Sequence, residues 1–387
     1  MTACRVIKSC RIMQGFDVVI IGAGVMGAAA ACEVAGRGAR VALIDQARLP
    51  NPRAASTDHS KVFRFAYPDT LYAGLAVESL AGWQAIEQEM GAHLLTPTGL
   101  LLMGKAESRL ESETAAALRT LGLEAEMMTS AETAARFPQF NPAAFAHAVL
   151  DPSGAITHAE RAVTTLIALA QRRGVTVIES ARVTDIESAA GAKVRILTET
   201  GEALECRRAL VASGPWTRRL LPALAPHLVT TRQEIVYFEP RRDHEAFAVG
   251  RLPIFIDFGS GFYGFPIHHA NAIKIGNHHR GQAVEMDEEP VVGEAFIARC
   301  REFFAEFIPG LADAEVRETR VCIYNNTPDE DFIVDWHTEI ESLLLATGFS
   351  GHGFKFGPVI GRITADLLLN GRTHYDIRRF RLARFAQ

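Results

Sequence analysis

Three glycines and one aspartate near the N-terminus have the types and the spacing of a dinucleotide-binding site. Gly22, Gly24 and Gly27 follow the apolar run FDVVII, and Asp45 ends a second apolar run after an alanine-rich stretch. Gly22 permits a tight turn, Gly24 lets the backbone approach a pyrophosphate, and Gly27 lets a helix lie close to the strand. Asp45 follows Gly24 by about 20 residues, the spacing of a carboxylate that binds an adenosine ribose. This pattern predicts a nucleotide site without separating NAD from FAD.

Cys322, in the segment RVCIYNNTPDEDFIVD, is a second group that could do chemistry. It lies where a strand is predicted to run into a polar turn formed by Asn325, Asn326 and Thr327. A thiol that becomes a thiolate in a polar setting is a nucleophile. A free cysteine, however, more commonly packs as a small buried hydrophobe. The residues by themselves leave both interpretations open.

A glycine-rich segment near the C-terminus, GFSGHGFKFGPVIG, is predicted to lead into a helix. Free backbone N–H groups and the positive end of a helix dipole favour an anion at such a place. Lys355 adds a positive charge beside Gly351 and Gly353. Its neighbours Phe354 and Phe356 desolvate that charge, which favours pairing with an anion. The segment therefore predicts an anion site.

Lys274 and several histidines lie on segments with a strand pattern. Lys274 alternates with Ile273 and Ile275 in NAIKIGNHH, and a lysine at such a position usually faces solvent. The nearby histidines have no carboxylate or cysteine partner at ligand spacing on the same strand face, so no metal site is predicted. These histidines are His268, His269, His278 and His279.

The elements that must position these groups predict an α/β protein with two domains. A Rossmann-like nucleotide-binding domain is expected to be discontinuous, because helix and strand patterns return in DPSGAITHAERAVTTLIALAQRRGVTVIES, CRRALVASGPWTRRLLP and LLLATGFSGHGFKFGPVIG. Short β-rich runs between these returns predict a second α+β domain on an antiparallel or mixed sheet. The predicted limits are 1–92, 150–224 and 326–387 for the first domain, and 93–149 and 225–325 for the second.

Composition excludes several classes of partner. The chain has 387 residues, is 48% hydrophobic and carries a formal net charge of −5 without runs of like charge, so nucleic-acid binding and a polybasic membrane anchor are not predicted. No apolar stretch has the length of a signal peptide or a membrane span. We expect a cytoplasmic protein with a small-molecule partner, either a monomer or a small homo-oligomer. Translation from Met1 and from Met13 both stay open.

The six cysteines lack paired spacings such as CxxC, so neither a disulfide framework nor a zinc knuckle is predicted. They stand at Cys4, Cys10, Cys32, Cys206, Cys300 and Cys322.

Over nearly its whole length the sequence resembles the monomeric sarcosine oxidase family of flavin-dependent amine oxidases, which includes N-methyltryptophan, pipecolate and fructosyl amino acid oxidases. The blocks that carry the resemblance are GAGVMG, TPTGLLLMG, FYGFPIHHANAIKIGNHH, CIYNNTPDEDFIVD and GFSGHGFKF, of which the last two are the most specific. The resemblance implies FAD as the cofactor, bonded to Cys322 through a thioether. It also implies Val183 and Gly214 as cofactor-binding positions.

The resemblance further implies roles in the reaction. Arg64, whose planar fork can bind a carboxylate bidentately, and Lys355 would hold a substrate carboxylate. Lys274 would activate O2, because a fixed ammonium stabilises the negative charge that develops as O2 takes electrons. Other matches are His278, near the bound amine, and the ring-facing Tyr263 and Tyr324.

Lys61 is the main departure from the sarcosine oxidase pattern. Sarcosine and pipecolate oxidases usually have an arginine at this position, whereas a lysine in the pattern STDxSK is similar to fructosyl amino acid oxidases. A lysine lacks the planar fork of an arginine and cannot stack flat over a ring. The identity of the substrate therefore stays open.

These observations together predict an FAD-dependent oxidase of secondary amines. An N-substituted α-amino acid would be oxidised to an imine that hydrolyses, while O2 is reduced to H2O2. Two alternatives stay open. One is an FAD-dependent amine dehydrogenase with another electron acceptor, and the other is a flavoprotein without catalytic activity.

Overall fold

The computed structural model describes residues 12–286 and 291–386, so that Met1, Cys4 and Cys10 lie outside the described residues. The chain divides into two units. Unit 1 comprises Met1–Thr57, Glu160–Val229 and Asn325–Gln387, and unit 2 comprises Asp58–Ala159 and Thr230–Tyr324.

The chain contains both strands and helices, and several strands follow one another without a helix between them. The strands are β1 (Ile12–Ile21), β2 (Val41–Ile44), β3 (Lys61–Phe63), β4 (Leu95–Pro97), β5 (Leu100–Gly104), β6 (Glu126–Thr129), β7 (His147–Asp151), β8 (Ala155–Thr157), β9 (Thr176–Ile178), β10 (Val183–Ala189), β11 (Lys193–Thr198), β12 (Ala203–Val211), β13 (Val229–Glu239), β14 (Ile254–Asp257), β15 (Phe262–His269), β16 (Ala272–Asn277), β17 (Glu315–Asn326), β18 (Ile333–Trp336) and β19 (Leu343–Thr347). The helices are α1 (Val25–Gly36), α2 (Thr70–Met90), α3 (Leu110–Thr120), α4 (Ser130–Arg136), α5 (Ala159–Arg172), α6 (Thr217–Leu220), α7 (Glu294–Phe307) and α8 (Gly357–Asn370).

Unit 1 is built on a largely parallel sheet. Its strand order is β10-β11-β12-β1-β2-β9, with β19 also paired to β12 and β18 paired to β19. The central strand β1 is parallel to both β2 and β12. The apolar residues of β2 and β19 are buried along their whole length, as is typical of parallel strands covered on both faces. The predicted discontinuous α/β domain is confirmed.

Helices α1 and α8 pack against each other in unit 1 at small residues. A Cβ atom on Gly361 of α8 would lie 2.9 Å from the backbone of Ala29 in α1, so glycine is what permits this close approach. The predicted apolar face of α8, formed by Ile360, Ile363 and Leu367, is buried. The packing holds the first turn of α1 at the end of β1.

Unit 2 is built on a mixed sheet with the strand order β17-β13-β16-β15-β14-β5-β7-β6. Only the pair of β14 with β5 is parallel among the strand pairs described for this sheet, and antiparallel pairs surround it. Phenylalanines of α7, including Phe303, Phe304 and Phe307, fill the core against one face. A second, three-stranded sheet has the order β3-β8-β4.

The limits of the two units differ from the predicted domain limits. Residues 58–92, predicted as part of the nucleotide-binding domain, belong to unit 2, because β3 pairs with β8 of that unit through Lys61 and Thr157. The later boundaries fall at 159/160, 229/230 and 324/325 rather than at the predicted 149/150, 224/225 and 325/326. The first shift matters most, because it places Lys61 and Arg64 in the unit that contains Lys274 and Cys322.

Two further expectations concern membranes and cysteines. Across residues 12–286 and 291–386, no helix combines the length and the apolar character needed to cross a membrane. The cysteines in these ranges are buried and form no disulfide bond: Cys32, Cys206, Cys300 and Cys322.

Candidate active site

The glycine loop of unit 1 joins β1 to α1 and needs glycine for steric reasons. Gly22 has φ +103°, which L-residues rarely adopt. A Cβ atom on Gly27 would lie 1.8 Å from the carbonyl oxygen of Gly22, so no side chain fits there. The loop therefore brings the helix start as close to the strand as the spacing predicts, and α1 presents its N-terminus at the carboxyl end of β1.

Asp45 follows β2 directly and is hydrogen-bonded to this loop. Its carboxylate is buried and accepts hydrogen bonds from the backbone N of Ala23 at 2.9 Å, the backbone N of Ala47 at 3.0 Å and Asn51 Nδ2 at 3.1 Å. A carboxylate offers about four acceptor positions, so one position remains for a ligand hydroxyl. The donor set and the glycine loop fit the adenosine diphosphate part of a dinucleotide.

The other cofactor positions predicted in unit 1 lie on three separate segments. Val183 begins β10, the strand at the far side of β11 and β12 from β1. Gly214 has φ +52°, and its carbonyl oxygen accepts a hydrogen bond from Asn325 Nδ2 at 2.9 Å. Gly351 has φ +75° in the loop before α8. A Cβ atom on Gly353 would lie 2.4 Å from the side chain of Phe349, so this position too requires glycine.

Lys355 lies in a short 3₁₀ turn, Phe354–Phe356, that leads into α8 of unit 1. The residue is buried, and its Nζ donates a hydrogen bond to the carbonyl oxygen of His352 at 2.7 Å. The ammonium also lies 5.2 Å from the ring centroid of Phe356. The charge is thus buried beside an aromatic ring.

Lys274 is buried in β16 of unit 2. This side chain is 1% exposed because β16 lies between β13 and β15 in the sheet, so the usual solvent-facing position of a strand lysine does not apply. Its Nζ donates to Asp58 Oδ2 at 2.6 Å, to the carbonyl oxygen of Ser60 at 2.7 Å and to Ser60 Oγ at 3.3 Å. Three acceptors for three ammonium protons define a built cation site.

Asp58 is the centre of a buried polar cluster that no sequence motif predicted. Its carboxylate is fully buried and lies between two lysines, with Lys61 Nζ 3.5 Å from the Oδ2 atom that Lys274 contacts. The same Oδ2 is 3.5 Å from Cys322 Sγ, and Tyr237 Oη donates to Oδ1 at 3.4 Å. One carboxylate therefore binds both lysines and faces the thiol.

Cys322 lies on β17 and has features of both interpretations that the sequence left open. Its side chain is buried and packs with Ile235, Tyr237 and Ala272, as a small hydrophobe would. Its Sγ atom nevertheless accepts a hydrogen bond from Lys61 Nζ at 3.3 Å. An adjacent ammonium is the type of neighbour that stabilises a thiolate. The strand continues to Asn326, so the predicted polar turn begins only after that residue.

Burial and mutual charge shift the pKa values of this cluster in different directions. Burial raises the pKa of the Cys322 thiol, Asp58 raises it further, and the two lysines oppose the shift. Burial would also raise the pKa of Asp58, but Lys274 and Lys61 outweigh it and hold that pKa well below its usual range. Burial lowers the pKa of Lys274, and Asp58 opposes that shift.

The pKa of Lys61 moves the other way. Burial would lower this pKa, but the negative charges of an ionised Cys322 and of Asp58 outweigh burial and raise it. With both ammonium groups and the carboxylate charged and the thiol neutral, the cluster carries one positive charge in excess. Such a cluster favours an additional anion.

Arg64 is a buried cation of unit 2 without an anionic partner among the described residues. The residue is 7% exposed. Its guanidinium carbon lies 3.8 Å from the ring centroid of Tyr67 and 5.4 Å from that of Phe258, and its guanidinium makes no hydrogen bond or ion pair within residues 12–286 and 291–386. Aromatic stacking holds the planar group in place while its donors stay available.

A row of aromatic rings leads from Arg64 toward the lysine and thiol cluster. The ring of Phe258 lies 5.9 Å from that of His278, which lies 6.0 Å from that of Tyr324. Tyr324 is hydrogen-bonded to Tyr263, and burial raises the pKa of Tyr324 to about 12. These rings line one continuous part of unit 2, and both tyrosines stay neutral at physiological pH.

A second polar cluster in unit 2 contains His59, His269 and Glu318. The Nε2 atoms of His59 and His269 lie 3.2 and 3.3 Å from the two carboxylate oxygens of Glu318. Their imidazole rings are stacked, with centroids 3.6 Å apart, so one ion cannot lie in both ring planes. Arg320 Nε also lies 3.7 Å from Glu318 Oε1. We therefore assign no metal to this cluster. The sequence could not have predicted that these three groups meet, because they come from separate segments of the chain.

The structure thus brings several of the predicted residues together in unit 2. These are Lys61, Arg64, Tyr263, Lys274, His278, Cys322 and Tyr324. The prediction assigned no role to Asp58, although this residue is the aspartate of the STDxSK pattern, three residues before Lys61.

Comparison with known proteins adds the following findings. The family model described as FAD dependent oxidoreductase (DAO) matches residues 17–367. The chain is 31% identical to monomeric sarcosine oxidase of Bacillus sp. over 377 residues, covering 95% of this chain and 96% of that protein. It is 29% identical to N-methyl-L-tryptophan oxidase of Salmonella arizonae, covering 96% of this chain and 100% of that protein.

Among solved structures, L-proline dehydrogenase from P. horikoshii has the same fold. The TM-score is 0.84 at 20% sequence identity, and the match covers 96% of this chain and 98% of that chain. The predicted resemblance to flavin-dependent amine oxidases is confirmed by the family match and by the two relatives.

Proposed function

Because the chain belongs to the FAD-dependent oxidoreductase family that includes the monomeric sarcosine oxidases, we propose that it oxidises an N-substituted α-amino acid and reduces O2 to H2O2. The substrate amine loses two electrons and two protons and becomes an imine, which water hydrolyses to a carbonyl compound and a smaller amine. Two electrons and two protons convert O2 to H2O2, so the reaction balances. The observation that carries the proposal is the buried Arg64 without an anionic partner in the described chain.

Arg64 supports an amino acid substrate rather than a simple amine. Burying a guanidinium without a counter-charge is unfavourable, and a ligand carboxylate that accepts two parallel hydrogen bonds would offset that cost. Tyr67 stacks on the guanidinium and fixes its plane, so the bound carboxylate would be held in one orientation. Lys355 is proposed as a second carboxylate ligand, on the strength of its burial and its aromatic surroundings.

FAD is the proposed cofactor, and the residues of unit 1 fit its adenosine diphosphate part. Gly22, Gly24 and Gly27 would place backbone N–H groups at the pyrophosphate, and the acceptor position left on Asp45 would bind the ribose. The proposal keeps the other cofactor positions predicted from the sequence, Val183, Gly214, Gly351 and Gly353. When bound, FAD supplies the two-electron acceptor for the amine and the two-electron donor for O2.

Covalent attachment of the cofactor at Cys322 is part of the proposal. The support is the Lys61 ammonium 3.3 Å from Sγ, which stabilises the thiolate needed to form a thioether. A C–S bond would replace one C–H bond of the cofactor, the two electrons released would pass through the flavin to O2, and the S–H and C–H protons would end in H2O2. Because the thiol pKa is raised, most molecules hold a neutral thiol before attachment, and the lysine determines how much thiolate is present.

The remaining residues of unit 2 would shape the reaction. His278 and Tyr324 are proposed to border the amine, where their rings, 6.0 Å apart, would exclude water from it. Lys274 is proposed to stabilise the negative charge that develops on O2. Lys61 in place of the usual arginine favours a substrate other than sarcosine, such as a bulkier fructosyl amino acid. No side chain is assigned as a general base for the amine.

The test is anaerobic mixing of the purified yellow protein with sarcosine, L-proline, L-pipecolate and a fructosyl amino acid. Loss of the visible flavin band with one of these, and its recovery with H2O2 formation when air is admitted, is the expected result. Sarcosine, L-proline and L-pipecolate have matched controls without the carboxylate, which are dimethylamine, pyrrolidine and piperidine. Equal reduction by acid and control would contradict the role of Arg64, and reduction by dithionite alone would contradict the amine oxidase activity.

A further inference from the structure

We infer that Asp58 is a positioning residue that keeps Lys274 protonated in a site whose burial favours the neutral amine. The inference rests on the proposed function, in which Lys274 acts on O2. Asp58 is the aspartate of the STDxSK pattern, and the proposed function assigns it no role.

The contacts of Lys274 single out Asp58 as its only charged acceptor in the described chain. Two of its three hydrogen bonds go to Ser60, whose carbonyl and hydroxyl oxygens are neutral, and the third goes to Asp58 Oδ2 at 2.6 Å. The side chains of Lys274 and Asp58 are 1% and 0% exposed, so water does not solvate either charge. Neutral acceptors orient an ammonium, whereas a buried carboxylate favours its charged form.

Burial and a neighbouring cation oppose a positive charge on Lys274. The Phe265 ring, with its centroid 4.8 Å from Nζ, attracts the ammonium but does not neutralise it. Lys61 brings a second cation to the same carboxylate, with its Nζ 3.5 Å from Asp58 Oδ2. Removing the carboxylate would leave two buried ammonium groups facing each other, and the more buried Lys274 would release its proton first.

The other titratable or charged groups that face this site lie on the strands packed around it. They are Lys61 on β3, Tyr237 on β13, His268 on β15, and Arg320 and Cys322 on β17. Burial lowers the pKa of His268 to about 4, and burial raises the pKa of Tyr237 far above its ordinary value. Cys322, when bonded to the cofactor, has no proton to lose. Lys274 and Lys61 are the lysines that can titrate here, and Lys274→Met identifies the step that belongs to Lys274.

The experiment follows reoxidation of the flavin in the holoenzyme after reduction with dithionite, in aerated buffers from neutral pH to beyond the ordinary lysine pKa of 10.5. The wild-type rate of reoxidation should fall in a single step at alkaline pH, the alkaline limb of the pH profile, as Lys274 loses its proton. In Asp58→Asn, which keeps the shape and removes the charge, we expect the midpoint of the limb to fall by about one to three pH units. In Lys274→Met the limb should be absent.

A second readout does not depend on any reaction. Titration of the oxidised holoenzyme should show a change in the visible flavin spectrum at the same midpoint, because a nearby charge shifts the absorption of the ring. This midpoint should move with Asp58→Asn and return in Asp58→Glu, which restores the carboxylate. Asp257→Asn is the matched control, since Asp257 is an equally buried carboxylate of unit 2 that binds Ser260, and it should leave the midpoint unmoved.

Three outcomes would overturn the inference. An unmoved midpoint in Asp58→Asn would mean that the carboxylate only supports the local structure. Faster reoxidation at every pH with an unmoved midpoint would mean that Asp58 instead weakens the field of Lys274. An equal shift in Asp257→Asn would mean that any loss of a buried carboxylate has this effect.

Two features keep the inference testable on its own. If Asp58→Asn does not accumulate as a yellow protein, Lys61→Met gives the converse measurement, because removing the neighbouring cation should raise the midpoint. Since dithionite replaces the amine, failure of every amine to reduce the flavin would contradict the proposed function and leave this test intact.

Discussion

Lys274 and Arg64 are two buried cations of the same unit that differ in whether the protein supplies a counter-charge. Lys274 is surrounded by three protein acceptors, one of them the Asp58 carboxylate. Arg64 rests between the rings of Tyr67 and Phe258 and has no anionic partner among residues 12–286 and 291–386. A charge compensated within the protein persists whether or not a ligand is present, whereas an uncompensated one is stabilised when an anion arrives. The difference assigns Arg64 to substrate binding and Lys274 to a step that needs a permanent charge.

The largest effect is expected from Arg64→Met, which removes the uncompensated cation. We expect kcat/KM for the amino acid substrate to fall about 10³-fold, since two charge-assisted hydrogen bonds are lost. Activity with the carboxylate-free amine should change little, so the variant would lose its preference for the acid. Steady-state kinetics with both substrates measures this, with the exposed Arg251→Met as the control. A uniform loss with both substrates would contradict the assignment.

The next effect is expected from Lys274→Met, which removes the compensated cation. Reoxidation of the reduced flavin by O2 should slow about 10²-fold, the usual effect of removing one preorganised charge-stabilising group. Anaerobic reduction by the amine should stay close to the wild-type rate, because Lys274 is not proposed to bind substrate. Stopped-flow absorbance separates the two half-reactions. Lys105→Met, at a lysine that is 46% exposed, is the control. Equal slowing of both half-reactions would contradict the assignment of Lys274 to the O2 step alone.

A smaller effect on the reaction and a clear effect on stability are expected from Asp58→Asn. The pKa of Asp58 is held below the ordinary 3.8, so its ionised form stabilises the fold above that pH, and this contribution is lost as pH falls toward the lowered value. At neutral pH the variant should lose about 3–5 kcal/mol in the free energy of unfolding, because Lys274 is left uncompensated. Urea unfolding across acid and neutral pH measures this, and a difference that persists unchanged in acid would contradict the pairing.

The smallest effect on rate is expected from Cys322→Ser. The variant should release its flavin into the supernatant on acid precipitation, while wild-type protein keeps the colour in the pellet. The rate should fall less than about tenfold, equal to less than about 1.4 kcal/mol in the barrier, because the charges of Lys274 and Arg64 remain. Cys300→Ser, at another buried cysteine of unit 2, is the control. Colour in the wild-type supernatant would exclude the thioether.

The glycine loop shows what could be predicted from the sequence alone. All of its determinants lie within one short βαβ segment, from the strand before Gly22 to Asp45. The steric need for glycine at Gly27 arises from the carbonyl of Gly22, only five residues away, so local sequence contains the whole constraint. Strands β2 and β19 could also be predicted from their apolar runs, since strands buried on both faces are continuously apolar.

The Asp58 cluster shows what could not be predicted. Lys274 and Asp58 are 216 positions apart, and Cys322 and Asp58 are 264 positions apart. Their meeting depends on the order β17-β13-β16 in the sheet and on the loop before β3, which no local pattern records. For the same reason the predicted domain limits group residues 58–92 with the nucleotide-binding domain, whereas the structure groups them with unit 2, because the pairing of β3 with β8 is a long-range contact.

By itself, then, the sequence determined the local backbone of the nucleotide loop, the discontinuous α/β order and, through family resemblance, the side chains proposed to take part in chemistry. Only the tertiary structure decided which of those charges are compensated. The reason is physical: in a water-excluded interior, the state of a charge depends on the few groups within hydrogen-bonding distance. For Lys274 that group is Asp58, and for Arg64 no anion lies that close in the described chain.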